Sequence, residues 1–262
     1  MRFRRTTANA SLAGSESELA AMTRDLEAIH NEVSLPRLTE AVGEWTEHVR
    51  TSRRGFLVGA GAVAGGALLA ACSSGATGAS GAAKATTGGA ASSGALTGDL
   101  AVAGLAASLE NLAVNAYNAG ISAAKAGKLG TVPPAVVTFA TTAMGQHAQH
   151  AQAWNSILKA AGHKTVTTVD PVLGPMITQQ LGQVTDVAGL AKLALSLEDV
   201  AAATYQAGIG AISSPAAVKV AASIQPVELQ HSAILLFALG QYPVPNAFSP
   251  TTGARPVSDL TS

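Results

Sequence analysis

Leu105-Ala-Ala-Ser-Leu-Glu110-Asn-Leu-Ala-Val-Asn-Ala-Tyr117-Asn-Ala-Gly-Ile121 returns 88 residues later as Leu193-Ala-Leu-Ser-Leu-Glu198-Asp-Val-Ala-Ala-Ala-Thr-Tyr205-Gln-Ala-Gly-Ile209. Leu, Ala, Ser, Leu, Glu, Tyr, Ala, Gly and Ile recur in register, beyond what an alanine-rich composition produces by chance, so the chain contains a duplicated helical unit. A second segment repeats more loosely. His147-Ala-Gln-His150 lies over Glu228-Leu-Gln-His231 at an offset of 81, with Gly145 falling on Pro226. Each repeat therefore reads helix, turn, helix.

Punctuation residues bound the four helices. The first begins near Asp99 and closes in the Gly127 to Gly130 turn; the second carries Pro133 and Pro134 in its first turn and stops at Gly162. Thr185 and Asp186 can cap the third, which ends before Ser213. Ser214 with Pro215 opens the fourth, which ends at Gly240. Links within each pair are short, whereas His163 to Val184, with Pro171, Gly174 and Pro175, forms one long connection between pairs. The fold class is all-α, a four-helix bundle made of two repeated helix pairs joined by a long crossover.

Charge is scarce and its placement is informative. Of all residues 12% are charged, with 16 basic and 16 acidic groups and no net charge, so the chain has no basic footprint for nucleic acid. From residue 98 onward the only glutamates are Glu110, Glu198 and Glu228, each in the middle of an otherwise Ala/Leu/Val helix, and His147, His150 and His231 are placed likewise. Residues three apart share a helix side, so His147 with His150, and Glu228 with His231, each present two donors to one place. Glu110 and Glu198 hold equivalent positions in the two repeats, and pseudo-twofold packing brings all six together inside the bundle. Three carboxylates buried without a partner would cost several kcal/mol each or be forced to protonate, and a metal cation reconciles them.

The order Glu, paired-ligand helix, Glu, Glu-x-x-His over residues 98 to 240 resembles the ferritin-like superfamily of di-iron and di-manganese carboxylate bundles. The resemblance implies Glu110 and Glu198 as terminal carboxylates, His150 and His231 as histidine ligands and Glu228 as a bridging carboxylate. His147 departs from the pattern, since the family has Glu-x-x-His on both ligand helices. Three carboxylates against two divalent ions leave a formal +1 where four would balance. A dinuclear Fe or Mn site, a mononuclear or zinc-type site and a metal-free bundle therefore all stay open. So do an oxidoreductase acting on iron, dioxygen or peroxide and a non-enzymatic envelope module. Near the six, Tyr117 and Tyr205 lie on the glutamate face two turns along, either as redox relays or as core tyrosines with a bonded hydroxyl. Asn111 and Asp199 either orient a ligand histidine or bond between helices. Trp154 and Phe237 read as core.

The N-terminal part reads as export machinery. Arg53 and Arg54 precede seventeen uncharged residues, Gly55 to Ala71, the layout of a twin-arginine signal. Leu69-Ala-Ala-Cys72 then resembles a bacterial lipobox, and Cys72 is the only cysteine in the chain, which also excludes an internal disulfide. The uncharged run is shorter than the roughly 20 residues of a membrane span. The implied protein is a lipoprotein on the outer face of the cytoplasmic membrane, delivered by the twin-arginine machinery, matured by lipoprotein-processing enzymes and anchored through lipid on Cys72. Residues 72 to 97 form a Gly/Ala/Ser-rich tether, and 241 to 262 a proline-containing tail. Residues 1 to 50 are expected to be a cytoplasmic extension removed with the 51–71 signal, with two short polar helices broken at Pro36. A true start at Met22 is the alternative.

Overall fold

The computed structural model describes residues 12–51, 95–256 and 258. Within them the regular structure is helical, with no strand, and no helix is long and apolar enough to cross a membrane. Cys72, Arg53, Arg54 and most of the expected tether lie outside the described residues.

The bundle is built from α3 (Asp99–Lys125), α4 (Pro134–Ala160), α6 (Val187–Ala211) and α7 (Pro215–Ala238). Their ends follow the local chemistry. Pro134 and Pro215 occupy the first turns of α4 and α7, where the missing donor costs nothing, and Asp186 Oδ1 accepts from Gly189 N at 2.7 Å to cap α6. Helices α4 and α7 close alike. Gly162 (φ +80°) and Gly240 (φ +72°) take the left-handed conformation, and the residues after them, His163 and Gln241, donate back to Leu158 O and Leu236 O.

Helix α3 packs along α4, and α6 along α7; the two pairs meet mainly through α3 and α6. The interior is small-residue rich, with Ala103, Ala107, Ala203 and Ala221 almost fully buried beside Leu105, Ile157, Trp154 and Ile224. Trp154 is core as expected, whereas Phe237 is only partly buried. The crossover is not wholly irregular. It contains a short helix, α5 (Leu173–Leu181), which Asp170 initiates by accepting from Val172 N and Leu173 N at 2.9 and 2.7 Å. The C-terminal tail returns to this point: Arg255 donates to buried Asp170 at 3.3 Å, and its backbone N–H to Thr204 Oγ1 at 2.9 Å.

The N-terminal residues correct an expectation. Instead of two helices broken at Pro36, residues 16–51 are one helical run: α1 (Glu16–Ile29), a π turn (His30–Ser34) and α2 (residues 35–51). The widened turn absorbs the donor that Pro36 lacks, so the chain continues where an α-helix would kink. The run is also not polar all round. Leu19, Thr23, Leu26 and His30, then Leu38, Ala41 and Trp45, are buried at 3.6-residue spacing on either side of the turn. Helix α1 lies against α4 and α7.

Candidate metal centre

Six side chains meet in the bundle interior, and all are at most 2% exposed: Glu110 from α3, His147 and His150 from α4, Glu198 from α6, Glu228 and His231 from α7. The three-residue spacing on α4 and α7 turns both members of each pair inward. His147 is central. Its Nδ1 stands 2.8 Å from Glu110 Oε2 and 3.7 Å from Glu228 Oε2, and its Nε2 3.3 Å from Glu198 Oε1. His150 Nδ1 lies 3.0 Å from Glu228 Oε1 and 3.6 Å from Glu110 Oε1; His231 Nδ1 lies 3.3 Å from Glu198 Oε2 and 3.6 Å from Glu228 Oε2.

Two ligand groups emerge, Glu110/His147/His150/Glu228 and His147/Glu198/Glu228/His231, each with donor atoms within 4.8 Å of one another. They share His147 and Glu228. The donor set suits a divalent cation of the Mn, Fe or Zn type, hard carboxylate oxygens mixed with imidazole nitrogens. Hydrogen bonding points the same way: both oxygens of Glu228 and both ring nitrogens of His150 are buried without an aligned hydrogen bond, although His150 Nδ1 and Glu228 Oε1 lie only 3.0 Å apart. Native interiors rarely leave so many polar atoms without an aligned hydrogen bond in one place, and a cation among them satisfies the set.

Electrostatics describe the metal-free state. Burial alone would raise Glu110, but His150 and His147 hold it down to about 2; Glu198 is likewise held well below the carboxylate range by His147 and His231. Burial would lower the three histidines, yet the glutamates win. His147 is pushed well above its ordinary value, His150 up to about 9, and His231 upward as well. Without metal, the raised histidines and the lowered Glu110 and Glu198 thus hold one another in their charged forms.

The tyrosines cross between repeats. Tyr117 of the first donates to Glu198 Oε1 of the second at 2.5 Å, and Tyr205 of the second donates to Glu110 Oε1 of the first. Burial and the neighbouring carboxylates raise both phenols well above their usual value, which keeps them protonated as donors. Tyr205 also accepts from Trp154 Nε1 at 2.8 Å. Tyr205→Phe strands both Glu110 Oε1 and the indole N–H, so it is expected to cost about 1–3 kcal/mol, measured by denaturant unfolding. Tyr117→Phe leaves Glu198 Oε1 with His147 Nε2 at 3.3 Å and should cost less.

Asn111 and Asp199 do not orient a ligand histidine. Asn111 donates to Val166 O and Thr168 O at 3.0 and 3.1 Å, tying α3 to the crossover, and Asp199 accepts from Ser232 Oγ at 2.9 Å, tying α6 to α7. Both sit one residue beyond the glutamates, about 100° round the helix, and so face away from the centre. The residue that steadies a histidine is Gln146, whose Oε1 accepts from His231 Nε2 at 2.7 Å. Nothing in the sequence separates Gln146 from Gln149 or Gln152.

A further residue was hidden in the N-terminal run. His30 is 1% exposed, its ring centroid 5.6 Å from that of His150, and burial lowers it to about 4, so it stays neutral. Its place on the 19/23/26/30 stripe was the available signal.

Comparison with known proteins agrees with this geometry. The family profile described as Ferritin-like domain matches residues 98–241. No curated protein and no solved structure matches the chain. The matched span covers the four bundle helices and all six buried ligand-type residues, and the chain belongs to the ferritin-like domain family.

Proposed function

We propose that the chain is an exported, membrane-tethered ferritin-like protein that binds Fe or Mn and handles iron, dioxygen or peroxide in the cell envelope. The observation that carries the metal reading is the pair of overlapping, fully buried ligand groups, at whose junction the Glu228 oxygens and His150 nitrogens lack aligned hydrogen bonds. Glu110, His147, His150, Glu198, Glu228 and His231 would hold the metal; a bound redox metal supplies the electrons with which oxygen or peroxide is reduced. The chain's own contributions are positional. Tyr117 and Tyr205 hold one oxygen each of Glu198 and Glu110, and Gln146 holds His231. Next to Tyr117 lies an apolar cavity lined by Ile121, Phe139, Leu190 and Leu235, whose walls suit a small uncharged molecule better than an ion.

Export supports the same reading. A twin-arginine substrate crosses the membrane folded, so metal taken up in the cytoplasm is not challenged by the tighter-binding Cu(II) and Zn(II) outside. One experiment tests both parts: fractionate cells making the full chain and measure metal in the purified protein. Wild-type protein should partition with the membrane and carry at least one equivalent of Fe or Mn. Cys72→Ser should shift it to the soluble fraction, and Arg53→Lys with Arg54→Lys should retain it in the cytoplasm. Less than half an equivalent of any transition metal, with melting unchanged by chelator, rules out the metal reading.

One observation favours a second reading, a bundle without redox chemistry that serves as an envelope binding or structural module. His147 sits within 2.8 and 3.3 Å of Glu110 and Glu198, and these ion pairs let the centre persist without metal. The same metal measurement decides between the two.

A further inference from the structure

An export leader needs no contact with the domain it delivers, yet residues 12–51 dock on the bundle at several independent points. Ala13 N and Gly14 N donate to Ala238 O at 3.0 and 3.2 Å, satisfying the last carbonyl of α7. Glu16 Oε1 accepts from Ala135 N at 3.4 Å in the first turn of α4, and Glu44 pairs with Lys219 Nζ at 2.8 Å. Between them, Leu19 and Leu26 join a core with Phe139, Val227 and Leu235, while Leu38, Ala41 and Trp45 join one with Trp154, Ile157 and Ile224. The fit is close: a Cβ on Gly14 would stand 2.8 Å from Phe237 Cε1 and 2.9 Å from the Phe237 carbonyl oxygen.

At the centre of this interface the π turn delivers His30. Its Nε2 meets Gln149 Oε1 at 2.7 Å, and since the amide oxygen only accepts, Nε2 carries the proton and Nδ1 of the neutral ring is a bare lone pair. His30 Nδ1 is buried and has no hydrogen-bond partner. The neighbouring His150 directs Nδ1 toward Glu228 and Glu110, which leaves its Nε2, also buried and unpartnered, on the other side of the ring. One imidazole thus lacks an acceptor for its N–H, and the next, 5.6 Å away between ring centroids, lacks a donor. Ligand histidines characteristically give their second N–H to such an acceptor, which sets the tautomer and aims the other nitrogen at the metal.

We propose that His30 is a positioning residue of the metal centre: its Nδ1 and His150 Nε2 face the same interface without being bonded to each other in the metal-free arrangement, and metal binding at His150 Nδ1 closes a hydrogen bond from His150 Nε2–H to His30 Nδ1, with residues 12–51 the removable cap that carries His30. The inference rests on the metal reading above. It also gives processing a consequence: cleavage before Cys72 severs the cap from the bundle, so the centre holds metal more tightly before maturation than after it.

The test uses the full chain loaded with Co(II), reading the visible spectrum and the rate at which excess EDTA strips the metal. His30→Leu should change the Co(II) bands and release metal at least tenfold faster. His30→Gln, whose amide oxygen can take the same hydrogen bond, should stay within about threefold of wild type. Gly14→Val displaces the cap without touching any histidine; it should match His30→Leu, and combining the two should add nothing. A chain with a specific protease site inserted after Ser80 should release metal faster once cut. Wild-type release from His30→Leu overturns the proposal, and so does His30→Gln behaving like His30→Leu, which would mean that only ring packing matters. Wild-type protein that takes up no Co(II) overturns the metal reading itself and this inference with it.

Discussion

Glu228→Ala protein is expected to retain less than about a tenth of the wild-type metal, a larger loss than substitution of Glu110 or Glu198 produces. Glu228 belongs to both ligand groups, whereas each of the other glutamates belongs to one. It is fully buried, within 3.0 Å of His150 and 3.6 to 3.7 Å of His231 and His147. Removing it takes an oxygen donor from every arrangement the centre can offer. The metal-free protein suffers too, because His150 then loses the carboxylate 3.0 Å from its Nδ1, and a buried charge without its partner costs about 3–5 kcal/mol. Glu228→Gln keeps the volume and separates the contributions: it should lose metal like the alanine variant while avoiding the cavity. Elemental analysis beside denaturant unfolding measures both. Wild-type metal content in either variant would show that Glu228 is no ligand.

The second large effect is a reversal of pH dependence between the two forms. In the metal-free protein the histidines are raised above their unfolded value near 6.5, His150 to about 9. Their stabilisation is fully present below pH 6.5 and is lost as the pH rises through the folded values. Glu110, lowered to about 2, contributes in the opposite sense: its stabilisation is present above pH 4.5 and is lost as the pH falls toward 2. His30, lowered to about 4 by burial, acts against the other histidines, its neutral form being favoured above pH 6.5 and penalised as the pH falls toward 4. Metal-free protein should therefore be most stable near pH 6.5 and weaken toward both pH 9 and pH 4. The shift of His150 alone corresponds to something on the order of 3 kcal/mol, or roughly 10 °C in Tm for a chain of this size. Metal reverses the sign, because coordination needs the imidazoles deprotonated and so grows stronger as the pH rises. Melting curves with chelator and with saturating Mn(II) between pH 5 and 9 should diverge; parallel curves would mean that metal does not bind these histidines.

How much of this was legible beforehand depends on the kind of spacing involved. Glu110, His147, His150, Glu198, Glu228 and His231 stand out because a charged or imidazole side chain in an Ala/Leu/Val helix is conspicuous, and because i, i+3 spacing on a helix dictates which side it faces. The crossing of Tyr117 to Glu198 and of Tyr205 to Glu110 is different. Seven residues along one helix puts each tyrosine on its glutamate's face but does not say what its hydroxyl meets, and the two repeats pack so that each tyrosine serves the other repeat's glutamate. Asn111 and Asp199 were open between steadying a ligand and bonding across elements, and the second holds: one residue along a helix is a turn of about 100°, and they bond to the crossover and to Ser232. His30 was the hardest to see, since Pro36 read as a break and a leader reads as polar.

The sequence by itself determined the duplicated helix pairs, their caps, the crossover and the six inward donors, because those follow from local rules of helix geometry and from the cost of burying charge. Only the tertiary structure decided that His147 lies at the middle of the cluster, that Glu228 is common to both ligand groups and that the N-terminal run covers His150. Each of these depends on how helices far apart in the chain approach one another, and that is set by close packing of small side chains at Ala103, Ala107, Ala203 and Ala221 rather than by any spacing along one helix.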